Sequence, residues 1–394
     1  MKSGTEDKRR ILITCAKGIA PFLKEEVTKL GFPVLSETVA GIETEGTLSD
    51  TMRLNLLIRT GHRVLLLLDH FRAETPDELY AGALAIPWED FLHETGYLSV
   101  TSSVDTPSIT DSRFANVRLK DAIVDRIRNK TGVRPDSGAE RDKAVISLYW
   151  KGTACSLYLD TSGEPLAKRG YRKIPGKAPM QESLAAAVIL ATGWDGETPF
   201  VNPMCGSGTL AIEAALIALH KPSGLLRSNY GFMHVKGFEE VSWEEIRREA
   251  RARMKKRMSG TITATDISPA AVAAARQNAK TAGVDHLIDF AVCDYSLTPM
   301  PEGGGTVILN PEYGERMGKI RDLEITYKGI GDFLKQKCKG YTGYIFTGNL
   351  DLAKKVGLRA KRRIPFFNGP IECRLLEYDL YEGTTREHGD LTPS

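Results

Sequence analysis

The chain has 394 residues and a formal net charge of +3 at pH 7. This length predicts two or three domains with cores of their own, which excludes a small scaffold held together by disulfides. Hydrophobic residues make up 42% and charged residues 26%, and no apolar run approaches the roughly 20 residues of a membrane helix, which excludes a membrane-spanning protein.

The six cysteines are scattered along the chain, with no C-x-x-C pair and no histidine nearby. This spacing predicts reduced thiols and no metal site. The polar residues Met1 to Arg10 precede an apolar stretch, Ile11 to Cys15, that is far shorter than the core of a signal peptide. We therefore expect a cytoplasmic protein.

The N-terminal part of the chain, to about Leu68, has a mixed α+β pattern. A strand is predicted over residues 11–16, a helix over 19–32, and short strands between Val34 and Glu45. Such an alternation is typical of a small module with helices packed on a sheet.

A second α+β segment follows. It contains a predicted strand at 97–104 and a predicted helix at 112–132 whose exposed face is rich in Arg and Lys. Apolar and polar residues then alternate over 145–159, with Lys151-Gly152 between the two halves. This alternation predicts a β-hairpin.

The rest of the chain alternates strands with helices, which predicts a parallel sheet. Five strands are expected, over residues 198–203, 260–266, 287–294, 306–311 and 343–349, followed by a hairpin with Asn368-Gly369 at its turn. A polar insertion lies between Lys221 and Ser259. We therefore divide the chain into residues 8–70, 71–165, a linker rich in Gly and Pro over 166–179, and 180–385.

The most informative motif is VNPMCGSGT, residues 201–209, where a strand enters a loop with Gly206 and Gly208 and Thr209 opens a helix. Glycines allow close approach of the backbone to a ligand, and the helix N-terminus offers free N–H groups. The loop has no Lys after its second glycine and lacks a third glycine, so it is neither a P-loop nor a dinucleotide fingerprint. Cofactor contacts are expected from Asn202, Pro203, Met204, Cys205, Gly206, Gly208 and Thr209.

Two acidic residues end the next two predicted strands. Asp266 is placed to bind the ribose hydroxyls of a nucleoside cofactor, and Ser268, directly before Pro269, is the better helix cap. Asp294 is expected at the height of an adenine amino group. Ile267 and Tyr295 follow the two aspartates and are included in the predicted cofactor site.

The fourth strand ends in Asn310-Pro311-Glu312-Tyr313-Gly314. An amide, a proline and an aromatic at this edge suit methyl transfer to the exocyclic amine of a nucleic acid base. Asn310 and a backbone carbonyl would accept the amine hydrogens, and Tyr313 would stack on the ring. The predicted catalytic residues are Asn310, Pro311, Glu312 and Tyr313.

Residues 180–380 resemble a class I S-adenosylmethionine-dependent methyltransferase, in which NPEYG is a variant of the N-P-P-Y motif. The stretch RGYRKIPGKAPMQESLAAAVILATGW, followed by NPMCGSGT, resembles THUMP-containing guanine-N2 methyltransferases of large-subunit rRNA. The resemblance implies a Rossmann-like domain with a seven-stranded, mostly parallel sheet and an antiparallel hairpin. Ferredoxin-like and THUMP modules would precede this domain.

The resemblance also implies S-adenosylmethionine as cofactor, structured RNA, in particular 23S rRNA, as partner, and N2-methylguanine as product. The departure is Glu312, which stands where the family has its second proline. Its carboxylate could accept from guanine N1–H and the N2 amine, or it could mark an inactive enzyme.

Two alternatives stay open. The same turn could hold the N6 amine of adenine, and a noncatalytic RNA-binding or ribosome-assembly factor could retain the methyltransferase fold. The basic clusters at Lys168–Lys177 and Arg247–Arg257 are expected to contact phosphates on either side of the active site.

Overall fold

The computed structural model describes residues 7–109, 111–175, 180–314 and 320–381. The chain forms two compact units, Met1–Gly170 with Pro222–Met254, and Tyr171–Lys221 with Lys255–Ser394. In the described residues, no helix has the length and apolar character needed to cross a membrane.

The first unit contains eight strands and five helices among its described residues. The strands are β1 (Arg9–Thr14), β2 (Ser36–Thr38), β3 (Gly41–Gly46), β4 (Arg63–Arg72), β5 (Tyr97–Asp105), β6 (Asp136–Gly138), β7 (Ala144–Lys151) and β8 (Ala154–Asp160). The helices are α1 (Ala20–Lys29), α2 (Leu48–Leu57), α3 (Pro76–Ala85), α4 (Ser112–Thr131) and, within Pro222–Met254, α7 (Glu240–Ala252). The hairpin predicted around Lys151-Gly152 is confirmed, because β7 and β8 pair antiparallel from Ile146↔Leu159 to Lys151↔Ala154.

All eight strands of this unit form one sheet, in the order β2-β3-β1-β4-β8-β7-β5-β6. The two N-terminal modules expected from the sequence meet where β4 pairs antiparallel with β8, between Leu65↔Asp160 and Arg72↔Ala154. The division of the chain at residues 70 and 71 stays a prediction. In the structure this position lies within β4, whose residues on both sides of it pair with β8.

The segment Pro222–Met254, expected as an insertion within the C-terminal domain, packs in the first unit instead. Trp243 of α7 is buried and makes ring contacts with Tyr230 and Phe232, at centroid distances of 5.6 and 5.0 Å. Arg227 donates to the carbonyl oxygen of Ser162 at 3.0 Å. The amphipathic pattern of α7 did not reveal which sheet would receive its apolar side.

The second unit contains seven strands and five helices among its described residues. The strands are β9 (Phe200–Pro203), β10 (Ile262–Asp266), β11 (Ile288–Val292), β12 (Gly305–Leu309), β13 (Tyr341–Thr347), β14 (Arg362–Asn368) and β15 (Ile371–Asp379). The helices are α5 (Glu182–Thr192), α6 (Thr209–Ala218), α8 (Pro269–Ala282), α9 (Ile320–Lys337) and α10 (Leu350–Lys355).

The sheet of the second unit has the order β11-β10-β9-β12-β13-β15-β14. The strands from β9 to β13 run parallel, and β15 pairs antiparallel with both β13 and β14. The predicted seven-stranded sheet with its antiparallel hairpin is therefore confirmed. Every residue of α6 is buried, so this helix packs on all sides. Because α6 follows β9, its N-terminus lies at the carboxyl edge of the sheet.

A buried ion pair supports the end of β8 in the first unit. The carboxylate of Asp160 is fully buried and pairs with Arg63, and its Oδ1 accepts from the backbone N–H groups of Ser162 and Gly163 at 3.0 and 3.1 Å. Removal of the carboxylate leaves a guanidinium, only 19% exposed, without its counter-charge.

We expect Asp160→Asn to lower the free energy of unfolding of the first unit by about 3 kcal/mol. Urea unfolding followed by tryptophan fluorescence reports this unit, because three of the four tryptophans, Trp88, Trp150 and Trp243, lie in it. The control is Asp77→Asn. Asp77 forms an ion pair with Arg118 in which the aspartate is exposed, so the pair contributes little to the free energy of unfolding. Equal midpoints for the two variants would contradict the role of the buried pair.

Candidate active site

A cavity of about 400 Å³ opens at the carboxyl edge of the second sheet, where β9, β10 and β12 end. Parallel sheets bind ligands at this edge. The lining residues come from the two predicted motifs and from helices around them: Met180, Met204, Cys205, Gly206, Ser207, Thr209, Leu210, Asp266, Ile267, Asn310, Pro311, Glu312, Leu323 and Thr326. The fold thus joins the glycine loop to the NPEYG turn around one space.

The glycine loop follows β9 in an unusual backbone conformation. Met204, Gly206 and Gly208 have φ angles of 56°, 55° and 84°. A Cβ on Gly208 would lie 2.9 Å from the Cβ of Ala275 on α8, so only glycine allows this close packing. A Cβ on Gly206 would meet no atom within 4 Å, so this glycine borders open space in the cavity.

Asp266, at the end of β10, holds the loop in place. Its Oδ2 accepts from the backbone N–H of Gly206 at 2.9 Å, and its Oδ1 accepts from the backbone N–H of Ser268 at 2.9 Å. The Ser268 hydroxyl accepts from Ala271 N at 3.3 Å, which confirms the predicted cap of α8. One lone pair on each carboxylate oxygen stays available for a ligand in this arrangement.

Asn202 lies inside the sheet rather than in the cavity lining. It is 1% exposed, and its Nδ2 donates to the carbonyl oxygen of Ile308 at 2.9 Å. This bond joins β9 to β12 beyond the last backbone pair, Val307↔Val201. Asn202 therefore positions the end of the strand that carries Asn310.

The residues after β12 bring polar groups to the cavity. The Oδ1 atom of Asn310 is buried and has no hydrogen-bond partner among the described residues. Pro311 is buried, whereas Glu312 is exposed and lines the cavity. A buried acceptor without a donor is costly, so this oxygen is suited to a ligand that brings an N–H group.

Tyr313 does not belong to the cavity lining. Its hydroxyl accepts from Asn368 Nδ2 at 2.9 Å, and its ring lies edge-on to Phe346. Burial raises the pKa of the Tyr313 phenol to about 12, so the group is neutral at physiological pH. The ring is held beside the turn of the β14–β15 hairpin, and its stacking on a base stays a prediction.

Four other predicted cofactor residues also lie outside the lining. Asp294 Oδ1 accepts from the backbone N–H and the hydroxyl of Ser296, at 2.9 and 2.6 Å. Tyr295 packs edge-on against Phe333 of α9. Pro203 is the last residue of β9, and Gly208 packs against Ala275 of α8. Both residues support the loop and affect the cavity indirectly.

The structure adds lining residues that the motifs did not reveal: Met180, Ser207, Leu210, Leu323 and Thr326. Leu323 and Thr326 are three residues apart on α9, which places them on one side of that helix. Their spacing is typical of any helix that packs against a sheet. This spacing alone could not have identified them as lining residues, because the sequence does not show which helix covers the cavity.

Cys205 lines the cavity but is unsuited to act as a nucleophile. Burial raises the pKa of its thiol to about 12, which keeps it protonated. The six cysteines are free. Among residues 7–109, 111–175, 180–314 and 320–381, no group of three or more His, Cys, Asp and Glu side chains could hold a metal ion.

Two arginines of the linker cluster differ from their expected role in phosphate binding, whereas Lys168 and Lys173 are exposed. Arg169 is 1% exposed and donates to the backbone oxygens of Leu166 and Arg59. The Arg172 side chain is 14% exposed and pairs with Glu182. These two guanidinium groups serve the protein interior, so the expectation is wrong for them; Lys177 lies outside the described residues.

Comparison with protein families gives three matches along the chain. A ferredoxin-like domain model matches residues 10–65, a THUMP domain model matches 73–160, and the RMKL-like methyltransferase domain model matches 169–377. The last of these covers more than half of the chain, and their order agrees with the resemblance found in the sequence.

Curated relatives agree with this assignment. A protein of Syntrophotalea carbinolica, named ribosomal RNA large subunit methyltransferase K/L, is 38% identical over 383 residues, which are 95% of this chain and 54% of that protein. A relative of the same name from Psychromonas ingrahamii is 37% identical over 93% of this chain and 50% of its own length. The chain thus spans about half the length of these relatives.

A solved structure of a putative methyltransferase complexed with SAH has a TM-score of 0.88 and 26% identity, and the match covers 98% of this chain and 100% of the other. The extent of the family match, the order of the three domain matches and the identity to the curated relatives agree. The chain belongs to the RMKL-like methyltransferase family.

Proposed function

We propose that the protein transfers a methyl group from S-adenosylmethionine to the exocyclic N2 amine of guanine in 23S rRNA. The observation that carries this proposal is the single cavity shared by the glycine loop, Asp266 and the Asn310-Pro311-Glu312 turn. A cofactor site and a site for an amine acceptor must adjoin for direct methyl transfer. Relatives named large-subunit rRNA methyltransferases support the substrate class.

The cavity suits a nucleoside cofactor. Its volume of about 400 Å³ lies within the range of small-molecule sites. Gly206 leaves open space beside the backbone, and α6 begins at Thr209 without a side-chain cap, so its first N–H groups can bind a ligand carboxylate. When bound, S-adenosylmethionine supplies an electrophilic sulfonium methyl group.

Roles in cofactor binding follow from these positions. Gly206, Thr209, Asp266 and Ile267 would contact the cofactor directly, with the remaining carboxylate lone pairs of Asp266 on the ribose hydroxyls. Asn202 would order the end of β12 through Nδ2, while its buried Oδ1, which has no partner among the described residues, stays a proposed cofactor contact. We retain Asp294 as the acceptor for the adenine amine, through the oxygen Oδ2.

Roles at the acceptor amine follow in the same way. Asn310 Oδ1 and the backbone carbonyl of Pro311 would accept the amine hydrogens and orient the nitrogen lone pair toward the methyl group. The carboxylate of Glu312 would accept from guanine N1–H and N2, a donor pair that adenine does not present on its Watson–Crick edge. Tyr313, whose hydroxyl accepts from Asn368, would stack on the base.

RNA selection is proposed to lie in the first unit. Its THUMP match at 73–160 supports contact with structured RNA. Arg248 and Arg251 on α7 and Arg253 directly after it are exposed, and Arg248 lies 3.6 Å from Glu245. Arg247 is half-buried, lies 5.9 Å from the ring of Trp243 and pairs with Glu244. The three exposed guanidinium groups are the proposed phosphate contacts of this helix.

Asn310→Ala is expected to abolish methyl transfer to unmodified total RNA and to leave cofactor binding intact, because Asn310 orients the acceptor. The measurement is incorporation of labelled methyl, with nucleoside identification of the product. Asn349→Ala, which removes the cap of α10, is the control and should retain activity. N6-methyladenosine as product would overturn the guanine assignment.

If wild-type protein binds the cofactor but labels neither RNA nor immature ribosomal particles, the noncatalytic factor becomes the better description. A solved structure from Listeria monocytogenes, named a predicted N6-adenine-specific DNA methylase, is 28% identical with a TM-score of 0.86 over 95% of this chain and 97% of that one. The adenine outcome is therefore tested explicitly, with DNA included among the substrates.

Glu312→Gln is expected to lower kcat/KM for RNA about tenfold, because the amide offers one acceptor in place of a carboxylate that pairs with N1–H and N2. Cofactor affinity should not change. Glu302→Gln, at an exposed position outside the cavity lining, is the matched control. Full activity in Glu312→Gln would remove this carboxylate from guanine recognition.

Replacing Arg248, Arg251 and Arg253 with Gln should weaken RNA binding and reduce the slope of log Kd against log salt by about 2. Each phosphate contact that is lost no longer releases counterions from the RNA when the complex forms. The control, Arg247→Gln on the same helix, should change the slope less because that guanidinium is engaged with Trp243 and Glu244. Binding assays at several salt concentrations measure both. An unchanged slope in the triple variant would exclude α7 from the RNA footprint.

A further inference from the structure

Asn278 on α8 is fully buried and uses the whole hydrogen-bonding capacity of its amide. Its Oδ1 accepts from the backbone N–H groups of Lys173 and Ile174, at 2.9 and 3.1 Å. Its Nδ2 donates to the carbonyl oxygens of Ile174 and Ser207, at 3.0 and 3.1 Å. One side chain therefore links residues 173–174, at the start of the second unit, to the glycine loop of the candidate site.

The loop needs such a support. Ser207 lines the cavity and lies between Gly206 and Gly208, which both have left-handed φ angles. A stretch with two glycines has many accessible conformations, and only a subset presents the N–H groups of the loop and of α6 to a ligand. Asp266 holds the loop at Gly206 N, and Asn278 holds it at the carbonyl oxygen of Ser207.

The residue before Lys173 makes a parallel contact. Arg172 donates to the carbonyl oxygen of Met180 at 2.5 Å and to the hydroxyl of Thr209 at 3.2 Å. Met180 and Thr209 both line the cavity. Residues 172–174, which were predicted to belong to a linker, thus support the cavity wall at two places.

We propose that Asn278 is a positioning residue for the cofactor: it sets the conformation of the glycine loop through Ser207 and residues 173–174. The inference rests on the proposed function, because it takes S-adenosylmethionine as the ligand of that loop. Asn278 is absent from the cavity lining, so it acts on the ligand only through the loop backbone.

The test is Asn278→Asp in the full-length chain. The carboxylate keeps an acceptor for the two N–H groups but loses both donors, and it puts an oxygen against the carbonyls of Ile174 and Ser207. We expect the Kd for S-adenosylmethionine, measured by titration without RNA, to rise about tenfold or more. In turnover, KM for the cofactor should rise while kcat stays within about twofold, because the acceptor turn is untouched.

The matched control is Asn55→Asp in the first unit. Asn55 is also buried, and its Nδ2 donates to Thr51 O and Thr161 Oγ1 at 2.8 and 2.9 Å, so its loss removes a comparable network far from the glycine loop in sequence. It should leave the Kd for the cofactor unchanged. An equal rise in both variants would show general destabilisation and overturn the inference.

A second variant covers the case in which Asn278→Asp does not fold. Asn278→Ala removes all four hydrogen bonds without adding a charge, and thermal unfolding checks that it is folded at the assay temperature. Wild-type affinity in either folded variant would overturn the positioning role. Failure of the wild type to bind S-adenosylmethionine would instead overturn the proposed function, and with it this inference.

Discussion

The candidate site depends on the way the Asp266 carboxylate joins two separate pieces of backbone. One oxygen accepts from Gly206 N in the glycine loop, and the other accepts from Ser268 N at the start of α8. Gly206 lacks a Cβ and has a positive φ angle, so this part of the loop depends on hydrogen bonds to fix its conformation. The carboxylate at the end of β10 therefore orders the loop that follows β9, and the cavity forms between them.

The parallel sheet makes this arrangement possible. β9 lies between β10 and β12, so the ends of all three strands meet at one edge although their sequences are far apart. Asn202 strengthens this edge by donating to Ile308 O, where the backbone pairing of β9 and β12 has ended. A residue that the motif places at the cofactor thus orders the strand that carries the acceptor turn.

Part of the site was accessible from the sequence. The glycine loop, Asp266 and Asn310 line one cavity. They could be predicted because strand ends and glycine turns leave strong local signals in a sequence. Tyr313 lies elsewhere, since its hydroxyl meets Asn368 of a hairpin that comes 55 residues later. The support from Asn278 was equally hidden, because a buried asparagine in a helix has no pattern that names its partners.

The sequence by itself determined most element types, the order of strands along the chain and the resemblance to a methyltransferase family, because period, caps and turns act over a few residues. Tertiary structure decided where Pro222–Met254 packs, which side chains face the cavity, and that Arg169 is buried and Arg172 is paired with Glu182. These outcomes depend on contacts between distant segments. Hydrophobic patterning says that a face is buried, whereas only the assembled fold selects the surface that buries it.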